Sequence, residues 1–141
     1  MTAALRDIGR CFQGEIPTIM ATCSADGIPN LVHLSQVFLV DDEHVAISNQ
    51  FLAKSAANLA ANPVATLLCI DPGSYDTYRL VVRMERSETE GERFDVARTS
   101  IDAIAALTGM ADVLRLRSID VFRVVDVSLV PYGHPARAAT P

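Results

Sequence analysis

The segment ISNQFLAKSAANL, residues 47–59, joins the end of a predicted strand to the start of a predicted helix. The strand is expected to end at Ser48-Asn49, and the helix is expected to begin near Ala53. Lys54 is the only lysine in the chain, since the other 11 of the 12 basic residues are arginine. A hydroxyl, an amide, an ammonium group and a helix N-terminus therefore meet at one junction, an arrangement suited to holding a phosphate group.

The composition predicts one globular domain. The chain has 141 residues, half of them hydrophobic, which is enough for a single core and argues against disorder. The net charge of −5 and the scattered arginines argue against a nucleic acid or an anionic membrane surface as the main partner.

The cysteines and the N-terminus favour a reduced, cytoplasmic compartment. Cys11, Cys23 and Cys69 are widely spaced and form no C-x-x-C motif, unlike a disulfide framework. Charged residues interrupt the first ten positions, so no signal-peptide core is expected. No apolar run approaches the ~20 residues that span a bilayer.

Hydrophobic periodicity and turn residues predict the order of the elements. In chain order they are a short amphipathic N-terminal helix ended by Gly14 and Pro17, strands over 18–23, 29–40 and 45–48, a helix over 54–61, strands over 64–70 and 78–87, a helix over 94–108 with Gly109 as its stop, and a strand over 119–130.

These elements favour a small antiparallel barrel decorated with helices. Tight turns such as Ala25-Asp26-Gly27 separate the early strands, which indicates antiparallel pairing, and six strands with two or three helices suit a barrel. The strand–helix–strand order around Lys54 also allows a parallel unit, although a helix of about two turns is short for a crossover. The domain is assigned to residues 1–130, and the Pro/Ala-rich residues 131–141 to a tail or linker.

The motifs around this junction also resemble a known family. The matching pieces, in order, are Thr18 to Cys23, Asp26-Gly27-Ile28-Pro29-Asn30, Ile47-Ser48-Asn49, Lys54, and Asn58-Leu59-Ala60-Ala61-Asn62-Pro63. Their order and spacing resemble the pyridoxamine 5′-phosphate oxidase-like family of FMN-binding split barrels, over roughly residues 14–130 by eye.

The resemblance implies a six-stranded antiparallel split β-barrel of Greek-key topology with two to three flanking helices. It also implies a homodimer that holds FMN at the subunit interface and acts on a small-molecule substrate. Ser48, Asn49 and Lys54 would meet the phosphate and ribityl chain, and the flavin ring would lie along residues 33–37. The cofactor-binding residues carried over are Ser35, Gln36, Val37, Ser48, Asn49, Lys54 and Arg79, with Arg79 reaching the flavin from the partner subunit.

The chain also departs from the oxidase pattern. The oxidase has Ser-Arg where this chain has Leu52-Ala53, its C-terminal arginine-bearing substrate motif is absent, and a helix over 92–108 is inserted before the last strand. The oxidase's own substrate is therefore not expected, and weaker FMN binding or a different ligand is compatible with the missing phosphate ligands.

The predicted function is an FMN-binding oxidoreductase of unknown substrate, because flavin itself carries the redox chemistry and no catalytic side chain stands out. The alternative is a non-catalytic ligand-binding or sensory module that binds flavin, haem or a deazaflavin. No metal site is expected, because His33, His44 and His134 lie far apart and lack metal-ligand spacing.

Each site residue also has a simpler interpretation. Lysine most often lies in solvent on a helix surface, which would account for Lys54. Ser48 and Asn49 suit a turn at the end of a strand, and Ser35 and Gln36 suit the solvent face of an alternating strand.

Overall fold

Seven strands form one antiparallel sheet in the computed structural model, which describes residues 4–34, 36–50 and 52–131. The strands are β1 Thr18–Cys23, β2 Pro29–Leu34, β3 Val37–Leu39, β4 His44–Asn49, β5 Val64–Ile70, β6 Thr77–Glu88 and β7 Ser118–Val130. The helices are a 3₁₀ helix Leu5–Phe12, α1 Ala53–Ala61 and α2 Glu92–Thr108. The sheet order is β2-β1-β5-β6-β7-β4-β3, so the mainly β architecture with three helices agrees broadly with a split barrel.

The predicted number of six strands is wrong, because the segment 29–40 forms two strands instead of one. β2 pairs with β1, whereas β3 pairs with β4 at the opposite edge of the sheet. Only residues 35 and 36 separate β2 from β3, and the three residue steps from Leu34 to Val37 span at most about 11 Å. The sheet therefore curls until its two edges lie side by side.

The parallel alternative around Lys54 is also wrong. β4 and β5, which flank α1, are not neighbours in the sheet, and β5 pairs antiparallel with β1 and β6. α1 therefore caps one end of the sheet and does not act as a crossover helix.

The curled sheet has a core on each face. The inner face holds the larger core, in which Met20, Ile47, Leu67, Leu80 and Phe122 are fully buried. The 3₁₀ helix closes one end of this core with Leu5, Ile8 and Cys11, and α1 contributes Leu59.

The outer face of the sheet carries α2. Phe94 and Ala97 of α2 pack against Ala46 of β4 and against Ile119 and Val121 of β7. As predicted, α2 ends at Gly109, which has the left-handed φ of 70° common at helix C-termini. The predicted tail lies outside the described residues from position 132 onward.

A histidine ties the β3–β4 turn to the middle of the sheet. His44 lies 2.9 Å from Asp41 through Nδ1 and 2.5 Å from Glu85 through Nε2. Glu85 sits at a β-bulge in β6, and β7 lies between β6 and β4. Since neutral imidazole has only one N–H, both contacts are hydrogen bonds only when His44 is protonated. The hydrogen bond that His44 donates to Asp41, with a smaller contribution from the one to Glu85, raises the pKa of His44.

This contact predicts a pH-dependent contribution to stability. A raised folded-state pKa means that the contribution is complete below the ordinary histidine pKa of about 6.5 and is lost as pH rises through the folded-state pKa. The free energy of unfolding of His44→Gln, measured by urea denaturation, should fall furthest below that of the wild type near pH 6, and the difference should shrink at higher pH. His33→Gln is the control, because the described structure gives His33 no ion pair. A difference that stays constant across this pH range would contradict the assignment.

Candidate functional site

The candidate site lies where the two edges of the curled sheet meet the start of α1. The backbone N–H of Ser48 in β4 donates to the carbonyl of Gln36, just before β3, over 3.4 Å. β4 is buried from Val45 to Asn49, and Gln50 beyond it is buried too. The connection between the sheet edges therefore lies directly beside the end of β4, as the sequence predicts for a site shared by these segments.

Two buried polar atoms at this place have no hydrogen-bond partner in the described structure. They are Oγ of Ser48, a residue only 3% exposed, and Oε1 of Gln36. An unsatisfied buried polar group costs about 1–3 kcal/mol, and such groups are rare in native proteins unless a ligand or water meets them. The pair therefore makes this junction the candidate ligand site.

The start of α1 adds an open positive end. Lys54 lies in the first turn, is exposed, and makes no hydrogen bond or ion pair with any described residue. Leu52 at the N-cap provides no side-chain cap, and the first turn contains no acidic residue. The first backbone N–H groups of the helix and its partial positive charge therefore remain available to an anion.

Asn49 has a structural task in addition to the one predicted for it. Its side-chain oxygen accepts a hydrogen bond from the backbone N–H of Leu52 over 3.2 Å. This bond shapes the loop that leads into α1, so only the amide nitrogen of Asn49 remains to donate to a ligand.

Two other residues predicted to contact the ligand along the second strand are Val37 and Ser35. Val37 is 6% exposed and belongs to the inner core, so its backbone rather than its side chain is what a ligand in this site can contact. Ser35 lies outside the described residues.

Arg79 lies far from the Ser48 end of the junction within one chain. Register and alternation place it on the outer face of β6, opposite Leu68 and Ser128. Glu88, nine residues further along β6, is level with Ile119, the register partner of Ser48. Nine strand residues span about 30 Å, so within one chain Arg79 lies far along β6 from the level of Ser48.

The sequence analysis missed three polar groups of this sheet. Buried hydroxyls without partners flank Arg79, namely those of Thr77 and Ser128. Asp120, 3% exposed, accepts hydrogen bonds from Ser87 at 2.7 Å and Ser118 at 2.8 Å. No local signal in the sequence distinguishes them, because β6 and β7 each carry several other polar or charged residues.

The described residues offer no obvious metal or thiolate chemistry. They contain no group of three or more metal-ligating side chains suited to an ion. Burial raises the pKa of Cys11 to about 11 and that of Cys69 to about 12, so both thiols stay protonated at neutral pH.

The cysteines are free, and the cytoplasmic location stays a prediction. Within the described residues, no helix is long and apolar enough to cross a membrane.

A family model for pyridoxamine 5′-phosphate oxidase matches residues 5–125, a range that contains every part of the candidate site. The chain belongs to the pyridoxamine 5′-phosphate oxidase family. This confirms the family recognised from the sequence motifs. No curated protein sequence gives a significant match.

Solved structures with the same fold differ in the ligands that their descriptions mention. An FMN-binding protein from Syntrophomonas wolfei shares 20% identity with a TM-score of 0.73, over 91% of this chain and 87% of the other. HutZ, a haem storage protein from Vibrio cholerae, shares 17% with a TM-score of 0.57, over 89% and 94%. An F420 reductase shares 15% with a TM-score of 0.53, over 87% and 92%. At these identities the likeness supports the split-barrel fold of this family member and leaves its ligand open.

The unpartnered Ser48 hydroxyl predicts an unusual stability effect in this family member. Ser48→Ala removes a buried group that lacks a partner, so the free energy of unfolding of the ligand-free protein should stay constant or rise by up to about 1 kcal/mol. Ser118→Ala is the matched control, because its hydroxyl donates to buried Asp120, and it should lower stability by about 1–2 kcal/mol. Chemical denaturation measures both. A Ser48→Ala loss as large as the Ser118→Ala loss would mean that Ser48 has a partner in the free protein.

Proposed function

We propose that this protein is a homodimeric FMN-binding flavoprotein of oxidoreductase type. The observation that carries the proposal is the pair of buried, unpartnered polar atoms on Ser48 and Gln36, which lie just ahead of the helix that carries Lys54. The family match supports a flavin phosphate as the ligand of this junction.

The open end of α1 fits a phosphate monoester. Such a group carries about −1.5 to −2 charges at neutral pH. Lys54 supplies a full positive charge as a point donor, and the helix N-terminus adds roughly half a charge with free N–H groups. The Ser48 hydroxyl can donate to a phosphate oxygen or to a ribityl oxygen.

Gln36 favours a flavin over haem. Its unpartnered Oε1 atom is an acceptor, so it needs a ligand N–H or O–H. The ribityl hydroxyls and the flavin N3–H supply such donors, whereas an ionised phosphate and the ionised propionates of haem supply only acceptors. A deazaflavin carries the same ring N–H, so Gln36 does not separate it from FMN.

The bound flavin would supply hydride or electron transfer. The chain's own residues would bind its phosphate, orient its ring along the segment between β2 and β3, and exclude water on the buried side. We assign no side-chain acid or base.

A second copy of the chain would complete the site. α2 covers the outer face of the sheet at β4 and β7, whereas register places Ile19, Leu68 and Arg79 on the same face of β1, β5 and β6. Leu31 of β2 lies on this face and is 69% exposed. Such an apolar face is typical of a protein–protein contact, and a partner packed on it would carry its own Arg79 toward the flavin.

The alternative is a non-catalytic module of the same fold that stores or senses a ligand. This alternative is supported by two structural neighbours, a haem storage protein and an F420 reductase. Titration with FMN, haem and F420, followed by absorption and by thermal unfolding, separates these ligands, because a ligand that binds only the native state raises Tm. Turnover of NAD(P)H by the FMN-bound protein would favour the enzyme. Haem binding without any flavin binding would contradict the proposal.

Lys54→Ala should weaken FMN binding by about 1.5–3 kcal/mol, the usual range for a hydrogen bond to a charged group. This corresponds to an increase in Kd of about tenfold to more than a hundredfold. Fluorescence quenching of free FMN measures this. Arg98→Ala is the control, because Arg98 is exposed on α2 and pairs with Asp95. An unchanged Kd for Lys54→Ala would remove Lys54 from the site.

Mixed dimers test whether Lys54 and Arg79 act from different subunits. Lys54→Ala and Arg79→Ala should each weaken FMN binding at both sites of a homodimer. After the two variants are unfolded and refolded together, a mixed dimer should contain one site with both substitutions and one intact site. Tight FMN binding should therefore reappear in the mixture only. A mixture that binds no better than the separate variants would mean that both residues act within one chain or that Arg79 plays no part.

A further inference from the structure

α1, which carries Lys54, buries little apolar surface against the sheet. Of its nine residues, only Ser55, Asn58 and Leu59 are buried, and only Leu59 is apolar. Its exposed positions are largely alanine. A helix this short is marginal by itself, and one leucine allows it to roll about its contact.

Two side-chain hydrogen bonds limit that freedom. Asn58 donates through Nδ2 to Oγ1 of Thr22 over 3.1 Å, in a buried position. Asn30 donates through Nδ2 to Oγ of Ser55 over 3.3 Å. Thr22 and Asn30 face each other as register partners in β1 and β2. One cross-strand pair therefore forms hydrogen bonds with α1 at two positions that are about one helical turn apart.

This two-point attachment fixes how α1 is rotated. Ser55 directly follows Lys54 in the helix, so the contact that buries Ser55 also sets the direction in which Lys54 leaves the helix. Side chains extend about 5–6 Å from the helix axis. A rotation of α1 by about 30° would therefore shift an atom of the Lys54 side chain at this radius by about 3 Å. A charge-assisted hydrogen bond has a length of about 2.7–2.9 Å, which a displacement of this size would break.

We propose that Asn58 and Ser55 are positioning residues that hold α1 in the rotation at which Lys54 meets the phosphate of the bound flavin. The proposal rests on the flavin function proposed above. In this proposal, Thr22 and Asn30 fix the orientation of the phosphate-binding helix α1 relative to the β1–β2 hairpin. Neither Asn58 nor Ser55 needs to touch the ligand.

The ratio of FMN affinity to riboflavin affinity isolates this role, because riboflavin lacks only the phosphate. In the double variant Thr22→Val/Asn58→Leu both hydrogen-bonding partners are replaced by apolar groups of similar shape, a change that can be nearly neutral for stability. FMN affinity should fall about tenfold, and riboflavin affinity should stay unchanged. Thr22→Ser, which keeps the accepting hydroxyl, should retain the wild-type ratio.

Ser55→Ala gives a second test that does not depend on how the double variant folds. Alanine is the best helix former, and Asn30 is only partly buried, so the free side-chain amide can turn to water. This variant should also lower the FMN-to-riboflavin affinity ratio, by less than Lys54→Ala does. Tm values for all variants confirm that each one is folded at the temperature of the titration.

The outcomes separate the inference from the function on which it rests. If wild type prefers FMN and both the double variant and Ser55→Ala keep that preference, the positioning role is overturned and the flavin site stands. If folded variants lose affinity for both flavins equally, the hydrogen bonds support the domain in general and the positioning role is likewise overturned. If the wild type binds neither flavin, the proposed function fails first. A lowered ratio with unchanged riboflavin binding supports the inference.

Discussion

A two-residue connection between opposite edges of one sheet governs this structure. β2 and β3 are the outermost strands of a seven-stranded sheet, yet only positions 35 and 36 separate them. The chain is too short there to cross a flat sheet, because seven strands at about 4.8 Å spacing extend over nearly 30 Å. Curling is therefore required by chain length. It encloses the inner core and brings Gln36 to Ser48.

The site follows from the same constraint. The short connection brings the segment between β2 and β3 against the end of β4, where the backbone N–H of Ser48 donates to the carbonyl of Gln36. The unpartnered atoms of Gln36 and Ser48 occur at this place. α1 begins a few residues later and presents its unsatisfied N–H groups beside Lys54. The candidate site thus lies where the fold leaves hydrogen bonds to be made.

Local sequence signals predicted the elements well where burial and turn chemistry agree. The apolar run 64–70 matches β5 at both ends, and Gly109 ends α2 in the conformation that favours glycine. The break between β2 and β3 left no such signal, because both strands keep an extended pattern and only their pairing partners change. Pairing is a long-range property that local periodicity does not report.

The site residues divide in a similar way. Lys54 and Ser48 could be selected from the sequence because a lone lysine and a strand-end hydroxyl meet at a helix start. The hydrogen bond from Leu52 to Asn49 and the burial of Asp120 could not, since the first depends on the conformation of the loop and the second on the packing of neighbouring strands. Arg79 could be placed on a strand, but its separation of about 30 Å along β6 from the level of Ser48 follows from the strand pairing.

The proposed phosphate site of this family member would have few side-chain ligands. Where the oxidase pattern has Ser-Arg, this chain has Leu52 and Ala53, so one side-chain cation carries what two would share. A site with several cations tolerates a small error in helix placement, because another donor compensates. A site with one cation does not, and its affinity depends on how firmly α1 is oriented. The polar attachment of α1 through Asn58 and Ser55, in place of the apolar packing common for a short helix, is consistent with that demand. Hydrogen bonds specify rotation, whereas a single buried leucine specifies only contact.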